Sequence, residues 1–296
     1  MPALRRLLSA NLYRMSTLYG VDFTSAPSPR KPITVARGRV ADDGAVLLER
    51  LERLPSWADF EAFLARPGPW LGGFDFPFGL PRESVMEHGW PQDWAGMVRA
   101  VAQLSRAEFK SLADAERLAR PVGAKYTHRT TDRPAGSHSP MKFVNPPVAW
   151  MFQEGARRLL DAGVHVPGLH GGDSARVALE AYPGWLARNI VPASYKSESA
   201  AGQTRARLAN RMLIVEALRR GTHPLGVALR SPDRALQEAM IEDGTGDTLD
   251  CVLCLVQAAW AWIRRDAGYG LPLNIDPVEG WVLGVPPAAA GDERRH

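Results

Sequence analysis

An α/β domain organised on a mixed sheet is the fold class this sequence predicts, and three observations lead to it. Strand patterns over 18–22, 33–40 and 45–54 follow one another closely. A helical pattern comes next, and a further strand pattern, 70–75, follows it directly. The chain has 296 residues, 45% of them hydrophobic, enough to bury the core of one elaborated domain.

The first three strands form an antiparallel meander. Ala41-Asp42-Asp43-Gly44 between the second and third has hairpin chemistry. Ser56 is a helix N-cap, Trp57, Phe60, Phe63 and Leu64 recur at helical spacing, and Pro67-Gly68-Pro69 ends the run. The strand after it crosses over right-handedly to lie parallel beside the first. Residues 81–119 read as helix in pieces, broken at Gly89-Trp90-Pro91, with an amphipathic stretch over 105–120. From 121 to 147 periodicity disappears, so a long loop is expected, of the kind that is often functional. A helix over 148–162 stops at Gly163, a short strand over 174–181 carries Glu180, and helices follow over 204–220 and 233–243. Gly244-Thr245-Gly246-Asp247 opens a helix to about 265 that is apolar nearly all round and therefore buried. A last strand is expected over 280–286. The expected organisation is a flexible basic arm (1–17), one domain (18–286) with insertions at about 81–147 and 195–243, and a disordered tail (287–296).

Net charge of +4 permits a polyanionic partner without requiring one. Residues 1–17, with three arginines, no acid and no long apolar segment, read as an arm rather than a targeting segment. No apolar run is long enough for a membrane span. The two cysteines, Cys251 and Cys254, lie three apart in the apolar helix and suit buried side chains of a reducing compartment, so a cytoplasmic protein is expected. Nothing in the sequence indicates an oligomeric state.

The chemistry lies in five acids. Asp22 and Asp75 each end an apolar strand, a costly position for a carboxylate without a cation, a proton or hydrogen bonds. Glu180 sits on another strand, and Asp247 and Asp250 share one face at the start of the buried helix. With the first and fourth strands side by side, Asp22 and Asp75 approach each other and the helix brings its acids over them. Such a cluster repels itself unless a divalent cation is bound, and hard carboxylate oxygens favour Mg²⁺ or Mn²⁺. Each acid also has a structural alternative. Asp22 can bond the Thr24-Ser25 turn, Asp75 can cap the turn after it, Glu180 can pair with Arg176 or Arg188, and Asp247 and Asp250 can serve as N-cap and capping-box acid. Lys125, Arg129, Arg133 and Lys196, with Arg205 and Arg207, are candidates for binding phosphate oxygens. His128, His138, His165 and His170 fit no zinc spacing. Ser25 and Ser174 lack a His-Asp pair, and Gly168-Leu169-His170-Gly171-Gly172 lacks the Lys-Ser/Thr ending of a P-loop. Paired acids also suit a glycosidase.

Four motifs in order, Gly20-Val21-Asp22-Phe23-Thr24-Ser25-Ala26-Pro27, Gly73-Phe74-Asp75-Phe76-Pro77-Phe78-Gly79-Leu80-Pro81, Leu179-Glu180-Ala181-Tyr182-Pro183 and Asp247-Thr248-Leu249-Asp250-Cys251-Val252-Leu253-Cys254, resemble a bacterial and archaeal family of predicted nucleases. The family is known as domain of unknown function 429 and is assigned a ribonuclease H-like fold. The resemblance covers about residues 19–286. It implies a five-stranded mixed sheet flanked by helices, its first three strands antiparallel, with metal-binding acids on the first strand, the fourth strand and a late helix. On that basis Asp22, Asp75 and Asp250 hold Mg²⁺ or Mn²⁺, Asp247 is the partner one turn earlier, and Glu180 lies on the fifth strand. The implied activity is metal-dependent hydrolysis of phosphodiester bonds in a nucleic acid or related nucleotide. The competing expectations are a non-catalytic module of the same fold that binds a nucleotide or a protein, and phosphotransfer in the actin-like ATPase fold, whose second glycine-rich phosphate motif is missing here.

Overall fold

A computed structural model describes residues 17–287. The expected arm and tail lie outside the described residues, apart from Thr17 and Pro287.

The meander forms as its alternation requires. Strands β1 (Thr17–Asp22), β2 (Ile33–Val40) and β3 (Val46–Leu54) pair antiparallel, with the β2–β3 turn closed by the Ala41 N–H on the Ala45 carbonyl at 2.8 Å. Gly44, at φ 84°, supplies the left-handed residue of that turn. Helix α1 (Trp57–Leu64) is capped by Ser56, whose side chain accepts the Asp59 N–H at 3.2 Å. Its buried face, Phe60, Phe63 and Leu64, packs on the sheet, and the chain re-enters as β4 (Trp70–Phe74), parallel to β1.

Three helices occupy the next insertion, α2 (Arg82–Glu87), α3 (Trp94–Gln103) and α4 (Arg106–Ala119), the last opened by a Ser105–Glu108 capping box. The 121–147 segment is not structureless. It contains the short helix α5 (Asp132–Ala135) and buries Thr127, Arg129, Thr131 and Asp132, whose polar groups bond to one another and to distant segments. It reads as loop because its order comes from those long-range bonds and not from any periodicity. Then come α6 (Val148–Asp161), β5 (Val164–His165), β6 (Asp173–Glu180), α7 (Pro183–Arg188), α8 (Arg205–Arg220), β7 (Leu229–Arg230), α9 (Arg234–Glu242) and α10 (Asp247–Ile263).

The sheet has seven strands in the order β5-β6-β4-β1-β2-β3-β7. Five are long; β5 and β7 are two-residue pieces, each parallel to the strand beside it, which the five-strand expectation lacks. Such pieces exist only as ladder partners and have no alternation of their own. The strand expected over 280–286 does not form: Gly280 and Gly284 take φ of 73° and 82°, and the Trp281 indole N–H closes on the Val285 carbonyl at 2.9 Å. One face of the sheet packs under α10, α7 and α8; the other holds an aromatic core of Tyr19, Phe23, Phe60, Phe63, Phe74 and Phe76 with α1, α3 and α6. Among the described residues no helix is long and apolar enough to cross a membrane.

Candidate active site

The period-two alternation of a strand decides which acids can meet. Leu18 on β1 and Leu71 on β4 belong to the core under α10, and Gly20 and Asp22 continue the first row as Gly73 and Asp75 continue the second. Val21 is paired with Phe74, and the Asp75 N–H extends the ladder to the Val21 carbonyl at 2.9 Å, so the two carboxylates leave the sheet side by side.

Glycine brings the helix down onto them. A Cβ on Gly20 would lie 2.1 Å from both the Cys251 carbonyl oxygen and the Leu255 nitrogen; one on Gly73 would lie 2.8 Å from the Cys254 carbonyl oxygen. The backbone of α10 therefore rests directly on β1 and β4, and its first turn delivers Asp250, fully buried, to the strand ends. The helix starts after Gly246, at φ 86°. Capping falls to Asp243, whose carboxylate accepts the Thr248 N–H at 2.9 Å, the Thr245 N–H at 3.0 Å and the Thr245 hydroxyl at 2.6 Å. Asp247 and Asp250 are thereby released from the capping roles their spacing allows.

A cavity of about 990 Å³ opens over these groups, lined among others by Asp22, Asp75, Asp247 and Lys196. Asp22 and Asp75 are half-buried, and neither accepts a hydrogen bond among the described residues. Burial first, and the charge of Asp250 second, push the Asp22 carboxyl well above the carboxylate range and that of Asp75 up to about 8, with Lys196 opposing both. The turn and capping alternatives for these two acids are not realised.

Asp250 is differently placed. Its two oxygens accept the Tyr195 hydroxyl and the Lys196 ammonium. Burial alone would lower Lys196, but Asp250, Tyr195 and Asp22 outweigh it and hold the ammonium charged; burial and the Asp250 charge keep the Tyr195 phenol protonated. Arg211 fixes this segment by donating to the carbonyls of Tyr195 at 2.8 Å and Ile241 at 2.6 Å. At the rim, burial raises Asp247 against the opposing charge of Lys31.

Glu180 lines the same cavity, and its charge adds to the raising of Asp75, but its carboxylate is already engaged. It pairs across the sheet with Phe74, so it takes the opposite face from Asp75. There Arg129 meets it with two bonds of 2.7 Å, and the Phe78 N–H adds a third at 2.9 Å. Neither sequence-proposed partner is correct: Arg176 bonds Asp173 at 2.7 Å, and Arg188 bonds backbone carbonyls. Arg129 itself is buried and engaged with Glu180, Asp132 and the Glu279 carbonyl, which leaves it little to offer a phosphate. Lys125 donates to the Arg120 carbonyl at 2.5 Å, and Arg133 is exposed; neither lines the cavity. Arg205 is exposed at the start of α8, and Arg207 turns to Ser194 and Gly202. Tyr195, Lys31 and Asp243 also belong to the site, and no local pattern in the sequence distinguishes them.

By donor type the three aspartates suit Mg²⁺ or Mn²⁺. As the side chains stand, Tyr195 and Lys196 take up Asp250, and among the described residues no three acid, His or Cys side chains are grouped to hold a metal ion. Cys251 and Cys254 are buried thiols raised by that burial, and Cys251 donates to the Thr248 carbonyl, so sulfur offers no ligand. No family model, curated protein or solved structure matches the chain.

Proposed function

We propose that this chain is a metal-dependent phosphodiesterase of ribonuclease H-like architecture, acting on a nucleic acid or related nucleotide, with Asp22, Asp75 and Asp250 holding Mg²⁺ or Mn²⁺. One observation carries the reading: two carboxylates with no hydrogen-bond donor among the described residues face an open cavity beside a third that a glycine-seated helix brings to them. The order of the five long strands, β6-β4-β1-β2-β3, and the acids at the ends of β1 and β4 agree with the family resemblance of the motifs. A bound divalent ion would stabilise developing charge on phosphate oxygens and acidify an attacking water. The chain's own residues supply the rest. Tyr195 orients Asp250 through its hydroxyl, Lys196 neutralises the cluster until a stronger cation competes for Asp250, and Asp247 stands at the rim as a further acid.

The test is Mg²⁺- or Mn²⁺-dependent cleavage over single-stranded, duplex, hybrid and branched substrates, compared with an Asp22→Asn, Asp75→Asn double variant. Loss of cleavage in the double variant is expected; undiminished cleavage would sink the site. A second reading, a non-catalytic binding module, is favoured by the Lys196 ammonium, which gives the acids a cation of the chain's own. It predicts no calorimetric response to Mn²⁺.

A further inference from the structure

Five basic side chains line the cavity, and four of them divide sharply. Lys31, Arg129 and Lys196 are each bonded to a carboxylate, those of Glu198, Glu180 and Asp250. Arg188, at the C-terminal end of α7, has no carboxylate partner among the described residues. It is nonetheless fixed. Nη2 donates to the carbonyls of Ala135 at 2.8 Å and Gly136 at 3.1 Å, Nη1 donates to the Tyr182 hydroxyl at 3.3 Å, and the guanidinium lies 5.2 Å from the Tyr182 ring centroid. Glycines seat it: a Cβ on Gly136 would lie 3.2 Å from Nη2, and one on Gly184 3.1 Å from Nη1. These bonds leave the Nε–H and one Nη1–H unspent.

His138, the fifth, stands beside it. Its pKa is lowered by burial and then by the charges of Lys142, Arg188 and His128, so basic groups converge here. Lys142 donates to the Asn145 carbonyl at 2.8 Å and to His138 Nδ1 at 3.3 Å, which makes Nδ1 the acceptor and leaves the Nε2–H of the neutral ring as a donor. The acid of this segment, Asp132, is bonded by Arg129 and Ser137 and lies 4.0 Å from His128 Nδ1. Held donors with uncompensated positive charge match the oxygens of a phosphoryl group. The cavity is also walled by Phe76, Pro147, Val148 and Met151, apolar surface that suits a base or sugar.

We infer that Arg188 and His138 form a phosphoryl-binding subsite for a nucleoside phosphate, either a free nucleotide or a residue of a single strand, with Lys142 as a positioning residue that holds His138 Nδ1. The inference rests on reading the cavity as a site for phosphate esters and adds to it where a phosphate is held without metal.

Calorimetry on the full chain in EDTA tests it, with inorganic phosphate, adenosine 5′-monophosphate, a short single-stranded oligonucleotide and uncharged adenosine as probes. The phosphate-bearing probes bind and adenosine does not. Arg188→Ala weakens binding about tenfold or more, the loss of charge-assisted bonds, and Lys142→Ala weakens it by about threefold. Lys142→Ala removes the ammonium that holds His138 Nδ1 and stays informative should Arg188→Ala fail to fold. An oligonucleotide that binds tighter than the mononucleotide assigns the subsite to a strand, and the reverse assigns it to a free nucleotide. No binding by any phosphate-bearing probe, or wild-type affinity in the folded variants, overturns the inference. Because metal is absent throughout, failure of the hydrolytic reading leaves this result standing, and the converse holds.

Discussion

Asp75 shows how much one residue's surroundings set its chemistry. Its carboxyl titrates at about 8 in the folded chain, against about 3.9 for an unperturbed aspartate. The folded state therefore binds more protons than the unfolded chain between those values, so stability falls as pH rises from about 4 to about 8 and levels off above. Asp75→Asn removes a half-buried titratable carboxyl while keeping the side chain's shape. In metal-free protein that variant is expected to be more stable than wild type at pH 8 by on the order of 2 kcal/mol, and to show a shallower loss between pH 4 and 8. Urea midpoints at a series of pH values check this. Parallel pH profiles for the two proteins would mean that Asp75 is ionised at neutral pH, and the electrostatic account of the cluster would fail.

A helix and two strands make the site, and glycine sets their separation. With Gly20 and Gly73 under α10, the helix backbone lies where side chains usually stand between a helix and a sheet. Gly20→Ala places a methyl within 2.1 Å of backbone atoms of Cys251 and Leu255, which cannot move without lifting the helix. The expected cost is roughly 3 kcal/mol, as for an overpacked core position. Gly44→Ala meets nothing within 4 Å and costs only its left-handed backbone, so it separates packing from conformation. Comparable denaturation midpoints for the two variants would remove the close approach as the reason for glycine at position 20.

Across the whole molecule, Arg129 joins parts that are far apart in the chain. Its guanidinium bonds Asp132 within the 121–147 insertion, Glu180 at the end of β6 and the Glu279 carbonyl near the C-terminal end of the described chain. Glu279 returns the connection by accepting the Thr130 N–H and hydroxyl, both at 2.8 Å, and the Arg82 N–H at 2.9 Å. A buried arginine with two carboxylate partners is costly to break, because both charges are left without compensation. Arg129→Met is expected to lose about 3–5 kcal/mol, with hydrogen-exchange protection falling first over 127–137 and 276–282. Uniform loss of protection across the sheet would mean that the insertion and the sheet unfold as one unit.

Local order is written in the residues themselves. Alternation over 33–40 and 45–54, the Asp-Asp-Gly turn and the Ser56 cap specify the meander and the helix after it, because each signal lies within a few residues of the structure it makes. Asp22 and Asp75 fall at strand ends for the same reason, and a right-handed crossover is enough to bring those strands together. Tertiary structure decided the rest. Glu180 turned away from the aspartates because its pairing with Phe74 chose its face, and Arg129 met it across 51 residues. Tyr195 and Lys196 reached Asp250 across 55 and 54 residues, and Arg188 was left without an acid among the described residues. The two-residue edge strands and the turns at Gly280 and Gly284 likewise depend on neighbours remote in sequence. Periodicity records which side of its own element a residue faces. Which charges then compensate one another depends on how the elements pack, and in this chain that packing gives Glu180 three donated bonds and leaves Asp22 and Asp75 with none among the described residues.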